Sequence, residues 1–257
     1  MKNKKDDLLI FGKRPVEEVL SENPRNIEKI IFIEQEGGLN TDLKVLKKEA
    51  EKNKIQVIFM QEHQAEKLLG EVNFQGVLAS VKKYEYRKYN DWLQRDLDKK
   101  GNNLVLILDK ISDVGNFGAL IRTAVAVGVS AIFVPEHEQA PVNGTVFKTS
   151  AGTVSKIRII KDLNLNQVVE DLKKRDFWIY GIDMDDEREY PAGNIWEQNF
   201  DGNTAIVLGS EGKGVSQKIL EKCDFITPIP MENDVESLNV SVAGAVAMYE
   251  WKRQQRM

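Results

Sequence analysis

The sequence predicts an α/β protein, with a small N-terminal α/β domain ahead of a larger one built on a mostly parallel sheet. Three observations carry that expectation. Short β-branched apolar runs alternate along the chain with segments of helical spacing. Two runs, 104–109 (LVLILD) and 204–209 (TAIVLG), are apolar almost without interruption, as in strands covered on both faces. The length of 257 residues, 42% of them hydrophobic, suffices for one large core or two modest ones.

Within residues 1–82, PVEEVLSE puts Pro15 at a helix start. The run 28–34 (EKIIFIE) reads as a strand. TDLKVLKKEAEKN reads as a helix with Thr41 as candidate N-cap. IQVIFM is a second strand, QEHQAEKLLG a helix closed by Gly70, and GVLASV a third strand. Residues 83–103 change character, with Tyr84, Tyr86, Tyr89 and Trp92 interleaved with Lys and Arg; they predict a linker with a short helix near Trp92. Such aromatics either stack on RNA bases or dock the segment onto a domain, and docking is the plainer reading.

Residues 104–257 form the second domain. After LVLILD, the segment FGALIRTAVAVG has a helical pattern closed by Gly128, and AIFVP is the next strand. LNQVVEDLKKR is a helix, FWIYGI and TAIVLG are strands, QKILEKCD is a short helix and FITPIPM is extended. SLNVSVAGAVAMYEWKRQ is a helix capped by Ser237 or Asn239. No internal repeat interrupts this order.

Composition narrows the function classes. A single cysteine, Cys223, excludes an internal disulfide framework and fits a reducing, cytoplasmic setting; it is expected to pack as a small buried hydrophobe. With only His63 and His137 beside it, a zinc site is not supported, and no metal is expected. No apolar run approaches the roughly 20 residues of a membrane span. The start MKNKKDDLLIFG lacks the long apolar stretch and cleavage site of a signal peptide. Lys and Arg number 36 against 40 Asp and Glu, a formal net charge of -4, which is not the balance of a protein that coats nucleic acid. A local basic patch would still serve, because phosphate contacts need only a few cations on one face.

Three segments carry chemistry. In ISDVGNFGALIRTAVAVGV, a buried strand ends at Asp109 and a Gly-containing loop opens a helix. Ligands of parallel sheets bind outside the carboxyl ends of strands, which puts Asn116 and Arg122 at a favourable place; a solvated surface arginine after a plain turn is the alternative. In IVLGSEGKGVS, Gly209, Gly212 and Gly214 are spaced G-x-x-G-x-G. That is neither the dinucleotide fingerprint nor a P-loop, since Val215 stands where the P-loop needs Lys. Glu211 would repel a phosphate and suits a sulfonium, a ribose hydroxyl or a guanidinium; the alternative is an exposed Glu on a tight strand-to-helix turn. In IPMENDVESLNVSVAGAVAMYEW, extended backbone meets a helix rich in small residues, with Ser237 and Asn239 at its mouth, where simple capping is the alternative.

Taken together and in this order, the three segments resemble the SpoU/TrmH family of SPOUT RNA 2′-O-methyltransferases. The motif N-x-G-x-x-x-R-x-A stands as Asn116, Gly118, Arg122 and Ala124, the second as IVLGSEGKG, and the third as IPM…SLNVSVA; KTSAG (148–152) is similar to a family segment near the cofactor. The likeness covers essentially the whole chain and is nearest to the bacterial 23S rRNA guanosine-2′-O-methyltransferase branch. It implies a ribosomal-protein-like RNA substrate-binding domain over 1–82 and a trefoil-knotted methyltransferase domain over 104–257, a topology that periodicity does not reveal. It also implies a bent S-adenosylmethionine held by backbone groups of the knot, an obligate homodimer, and an RNA partner, ribosomal in preference to transfer RNA.

By position, the resemblance assigns Asn116, Arg122, Glu211, Ser237 and Asn239 to catalysis. It assigns Leu208, Gly209, Gly212, Ile229, Met231 and Leu238, with Ser150 and Ala151, to the cofactor. The family gives the motif arginine the task of activating the hydroxyl. A guanidinium whose pKa exceeds about 12 is a poor base, so a grip on the adjacent phosphate and on developing alkoxide charge is the preferred role for Arg122. Lys82, Lys83, Arg87 and Lys88 are expected to supply part of a basic RNA-binding face. Two departures from the family pattern are Asn233, where Gly is usual, and Phe74, where His is frequent; Asn tolerates the left-handed backbone that such a turn uses. The alternatives are a transfer-RNA or antibiotic-resistance-site enzyme with the same chemistry, and a non-catalytic RNA-binding ribosome-assembly factor. The intact Asn116, Arg122, Glu211 and Asn239 favour an enzyme.

Overall fold

The structure, a computed structural model, describes residues 7–34, 37–95, 102–161, 164–184, 193–233 and 235–255. The chain forms two compact units, Met1–Glu85 with Pro141–Lys156, and Tyr86–Ala140 with Ile157–Met257. In chain order it runs β1 (Asp7–Phe11), α1 (Lys13–Glu22), β2 (Ile27–Ile33), α2 (Thr41–Lys52), β3 (Gln56–Met60), α3 (Glu62–Leu69) and β4 (Val77–Lys82). There follow α4 (Tyr89–Arg95), β5 (Leu104–Asp109), α5 (Val114–Val127), β6 (Ala131–Phe133), α6 (Gly144–Thr149), β7 (Ile159–Ile160) and α7 (Leu165–Lys173). The last elements are β8 (Phe177–Ile182), β9 (Asn203–Gly209), α8 (Gln217–Leu220), β10 (Phe225–Ile226) and α9 (Val240–Gln254).

The first unit carries a sheet of order β1-β4-β2-β3, in which β4 is antiparallel to β1 and β2, and β3 is parallel to β2. The edge strand β1 has no counterpart in the sequence reading: LLIF is too short to show a period, and its place is set by pairing with β4 (Leu9 opposite Ser80). Asn40, not Thr41, caps α2, its side-chain oxygen accepting from Leu43 N at 2.9 Å. Thr41 is the first helical residue instead. Phe74 is a core residue, 4% exposed and edge-to-face with Phe11 at 6.4 Å. The side chain at this position therefore serves packing.

Residues 141–156 pack into this first unit, although the sequence reading assigns them to the second domain. The reason is a long-range contact that has no local signal. A Cβ on Gly144, at the start of α6, would lie 2.3 Å from the Leu9 carbonyl oxygen, so only glycine lets α6 sit against β1. Lys156 closes the segment with ion pairs to Glu18 (2.6 Å) and Glu22 (3.2 Å) of α1.

The second unit carries a wholly parallel sheet of order β10-β8-β9-β5-β6-β7. The chain enters at β5, steps outward to β6 and β7, then returns to β8 beyond β9. The order therefore reverses between β5 and β9, a topological switch point. The register sets Asp109 opposite Gly209, and Leu208 opposite Ile182, so the carboxyl ends of β5, β9 and β8 finish level.

Helices cover both faces of this sheet. Trp92 of α4 is fully buried, in one core cluster with Val105, Ile107, Val168, Leu172 and Ile219. It meets Phe133 edge-to-face at 5.1 Å and stacks with Tyr89 at 6.2 Å. The aromatic segment thus docks through Trp92, and residues 86–95 belong to the second unit rather than to a linker. The linker reading for 96–101, and the reading of residues 1–6, lie outside the described residues. On the other face the small residues of α9 admit α5 and β9: a Cβ on Gly244 would lie 2.5 Å from Leu120 Cδ2 and 2.7 Å from Leu208 Cδ1. Among the described residues, no helix is long and apolar enough to cross a membrane.

Trp92→Ala removes a fully buried aromatic and leaves a cavity between α4 and β6. It should lower the unfolding free energy of the second unit by about 3–5 kcal/mol, measured by urea denaturation followed by circular dichroism.

Candidate active site

The level strand ends open a cavity of about 500 Å³. Its walls include Ile182 and Asp183 at the end of β8, Leu208 and Gly209 at the end of β9, Ile229 and Met231, and the segment 236–240 that leads into α9. A cavity of that size suits a small-molecule ligand.

The turn after β9 forms one rim. Gly214 N donates to Ser210 O at 2.9 Å, closing a five-residue turn that carries Glu211 at its exposed tip. The turn folds back on the strand so closely that a Cβ on Gly209 would lie 1.9 Å from the Gly214 carbonyl carbon and 2.0 Å from its oxygen. Two strand-end carboxylates fasten the outgoing chain: Asp183 Oδ2 accepts from Val215 N, and Asp109 Oδ2 accepts from Ser216 N, both at 2.8 Å. Asp109 is 4% exposed, so its carboxylate is a structural anchor satisfied by that amide.

Three side chains distant in sequence meet at the rim. Asn116 Nδ2 donates to Glu211 Oε1 at 2.9 Å. Asn239 Nδ2 donates to Asn116 Oδ1 at 2.9 Å and to Glu211 Oε1 at 2.6 Å. Asn239 Oδ1 accepts from the Ser241 amide (2.9 Å) and hydroxyl (2.6 Å), so the cap of α9 is itself a member of the network. Asn116 is fixed from behind, its backbone N–H bonded to Asp113 Oδ1, the cap of α5, at 2.7 Å. One carboxylate oxygen therefore receives two amide donors, while Glu211 Oε2 accepts no hydrogen bond among the described residues.

The catalytic and cofactor residues named from sequence divide into four groups. Leu208, Gly209, Glu211, Gly212, Ile229, Met231, Ser237, Leu238 and Asn239 line the cavity. Asn116 does not line it but is bonded to two residues that do. Arg122 is exposed on α5 and does not line the cavity. Ser150, fully buried, and Ala151, at φ 53, belong to the first unit.

Lys82, Lys83, Arg87 and Lys88 are all exposed. Asn233 adopts φ 57, the left-handed conformation expected of it. Asp183, Ser210 and Glu236 line the cavity but were not singled out in the sequence. The signal for Asp183 was present: it follows the buried strand FWIYGI, and the carboxyl-end rule that selected the other two loops applies to it equally. The thiol of Cys223 is pushed up to about 12 by burial and donates to Ile219 O, which leaves it packed and unreactive. Among the described residues, no group of three His, Cys, Asp or Glu is placed to hold a metal ion.

Comparison with known proteins assigns this geometry. The model of the SpoU rRNA methylase family matches residues 103–249, and that of the RNA 2′-O ribose methyltransferase substrate-binding domain matches residues 9–87. A Staphylococcus aureus protein assigned to the TrmH family of tRNA/rRNA methyltransferases is 34% identical over 251 residues, 97% of each chain. The chain belongs to the SpoU/TrmH family of RNA methyltransferases.

Solved structures of the family share the fold. The SpoU methyltransferase AviRb from Streptomyces viridochromogenes, solved in complex with AdoMet, superposes with a TM-score of 0.77 at 20% identity, over 99% of this chain and 94% of that one. A crystal structure of an RNA 2′-O ribose methyltransferase gives 0.75 at 25% identity, over 98% and 90%. In this SpoU family member the motif glycines differ in what they do. Gly209→Ala drives a Cβ into the Gly214 backbone, whereas a Cβ at Gly212, φ +81, meets nothing within 4 Å. Gly212→Ala should cost about 1–2 kcal/mol for its left-handed backbone, and Gly209→Ala clearly more, in thermal unfolding of the two variants side by side.

Proposed function

We propose that this chain is an S-adenosylmethionine-dependent RNA ribose 2′-O-methyltransferase that acts on a guanosine of 23S ribosomal RNA in preference to transfer RNA. The observation that carries the reading is the Asn116–Glu211–Asn239 network at the rim of the cavity. The trefoil knot is part of the same proposal, and membership of the SpoU/TrmH family is what supports it.

The cavity fits the cofactor. Ile182, Leu208, Ile229 and Leu238 offer apolar walls for a heteroaromatic ring. Asp183, Glu211 and Glu236 line it, and among the described residues no Lys or Arg does, which suits a cationic sulfonium. When bound, S-adenosylmethionine supplies a methyl group made electrophilic by the sulfonium. The chain then has two tasks, to align the ribose hydroxyl and to take its proton. Glu211 does both: Asn116 and Asn239 fix Oε1, and Oε2 accepts the hydroxyl hydrogen bond and holds the proton as the O–C bond forms. Ser237 and Asn239 shape the mouth through which the hydroxyl approaches.

Arg122 grips the neighbouring phosphate, and it does so from a second copy of the chain. Six residues separate it from Asn116, which at 3.6 residues per turn turns it roughly 120° away around α5. The homodimer is supported by α9, where Val242 (48% exposed) and Tyr249 (55%) stand seven residues apart on one face.

The test is methyl transfer from labelled S-adenosylmethionine to unmodified large-subunit rRNA and to unmodified tRNA, with digestion to nucleosides. The expected product is 2′-O-methylguanosine in rRNA alone. Glu211→Gln should lower kcat by about 10²–10⁴-fold, and Arg122→Lys should lose most activity, because lysine lacks the planar bidentate grip. Label in tRNA alone would replace the substrate; no label in either RNA would overturn the enzyme reading.

Neutralising Lys82, Lys83, Arg87 and Lys88 together should weaken RNA binding. It should also reduce the slope of log affinity against log salt by about three, measured by fluorescence anisotropy from 50 to 200 mM salt. An unchanged slope would move the RNA path elsewhere.

A further inference from the structure

A second cavity, of about 440 Å³, lies on the other side of the Glu211 turn and shares Ser210, Glu211 and Gly214 with the cofactor cavity as a common wall. Its remaining lining is polar: Asp109 and Lys110 from the end of β5, Ser112, Glu138, Lys213 and Ser216. Neither the sequence motifs nor the network at the rim accounts for it.

Charge accounting shows what this cavity offers a ligand. Asp109 is buried and bonded to Ser216 N. Lys110 and Glu138 pair with each other at 3.2 Å. Glu211 is held at the common wall by two neutral amides. Lys213 is exposed at the lining and forms no ion pair with any described residue. It stands two positions beyond Glu211 on the same turn. The cavity therefore presents one uncommitted cation and three serines, Ser112, Ser210 and Ser216, together with the carboxylate at the common wall.

We infer that this second cavity seats the acceptor nucleotide of the RNA, with Lys213 contacting its phosphate. The inference rests on the RNA methyl-transfer reading above. A methyl acceptor must bring one oxygen to the cofactor cavity while the rest of its nucleotide lies outside, and a cavity that shares the Glu211 wall satisfies both demands. Ribose at the wall places the hydroxyl at Glu211, and the adjoining phosphate meets the ammonium of Lys213, a charge-assisted contact. The Lys110–Glu138 pair bounds the far side, where it offers a donor and an acceptor to the edge of a base.

The test compares Lys213→Gln, Lys213→Arg and Ser112→Trp, the last filling the cavity, with Lys218→Gln on α8 as an exposed lysine outside it. In the methyl-transfer assay, Lys213→Gln should raise the KM for RNA about tenfold, with kcat within about twofold. In anisotropy, it should reduce the salt slope of RNA binding by about one. Lys213→Arg should stay near wild type, Ser112→Trp should raise the KM for RNA at least as much as Lys213→Gln, and Lys218→Gln should change nothing. Affinity for S-adenosylmethionine, measured by calorimetry, should be the same in all four variants, which also reports that the site is folded.

If the wild type methylates RNA while Lys213→Gln and Ser112→Trp keep its KM and salt slope, the nucleotide lies elsewhere and the inference falls alone. Loss of cofactor affinity in Lys213→Gln with RNA binding intact would assign Lys213 to the cofactor and overturn it as well. If the wild type methylates no RNA, the functional reading has failed first, and the anisotropy measurement still decides whether Lys213 touches RNA.

Discussion

The site depends on how closely the turn after β9 returns onto its own strand. No side chain fits at Gly209, because the Gly214 carbonyl occupies the volume a Cβ would need. That contact sets the height of the turn above the sheet, and so the position of Glu211. Asp183 and Asp109 then fasten the outgoing chain through the amides of Val215 and Ser216. The two carboxylates come from the ends of β8 and β5, the strands on either side of β9, so the parallel register is what lets two separate strands hold one turn. Move the register by one residue and each of these side chains passes to the other face of the sheet.

The same economy explains α9. Its first turn is part of the site, because Asn239 caps the helix with one amide atom and bonds Asn116 and Glu211 with the other. Its last turn is tied down separately: Glu250, 6% exposed, accepts from Arg253 and Gln254, and the Arg253 guanidinium holds its carboxyl below the usual carboxylate range. Gln254 also bonds the backbone of Gln198 and Phe200. Between these ends, Gly244 lets the helix sit against Leu120 and Leu208. A helix fixed at both ends and in the middle cannot slide, which is what a three-residue network spread over 123 positions requires.

Much of this was legible in the sequence because it is local. LVLILD and TAIVLG are strands buried on both faces, and their composition says so. Gly70 and Gly128 end helices by left-handed or otherwise positive-φ backbone, and Asn233 takes a left-handed φ as expected. What escaped is what long-range packing decides. The pairing of β1 with β4, the seating of 141–156 against β1 through Gly144, and the capture of Trp92 by Phe133 join residues far apart in the chain. The cap of α2 shows a finer limit, since Asn40 and Thr41 are adjacent and both chemically competent. Only the extended backbone of Asn40 selects it.

Arg122 marks the boundary between what one chain holds and what its motif contains. Asn116 and Arg122 share a motif and a helix, yet only Asn116 turns toward Glu211, because six residues along an α-helix do not return to the same face. A motif whose two polar residues face different directions can serve one reaction if the helix lies between two sites, with one residue completing the site of its own chain and the other that of a neighbour. The net charge of -4 fits that division. On the proposed reading, an acidic chain meets RNA with separate small cationic groups, Lys213 on the Glu211 turn and the exposed Lys82, Lys83, Arg87 and Lys88, while carboxylates such as Asp109, Asp183 and Asp113 anchor turns and cap a helix.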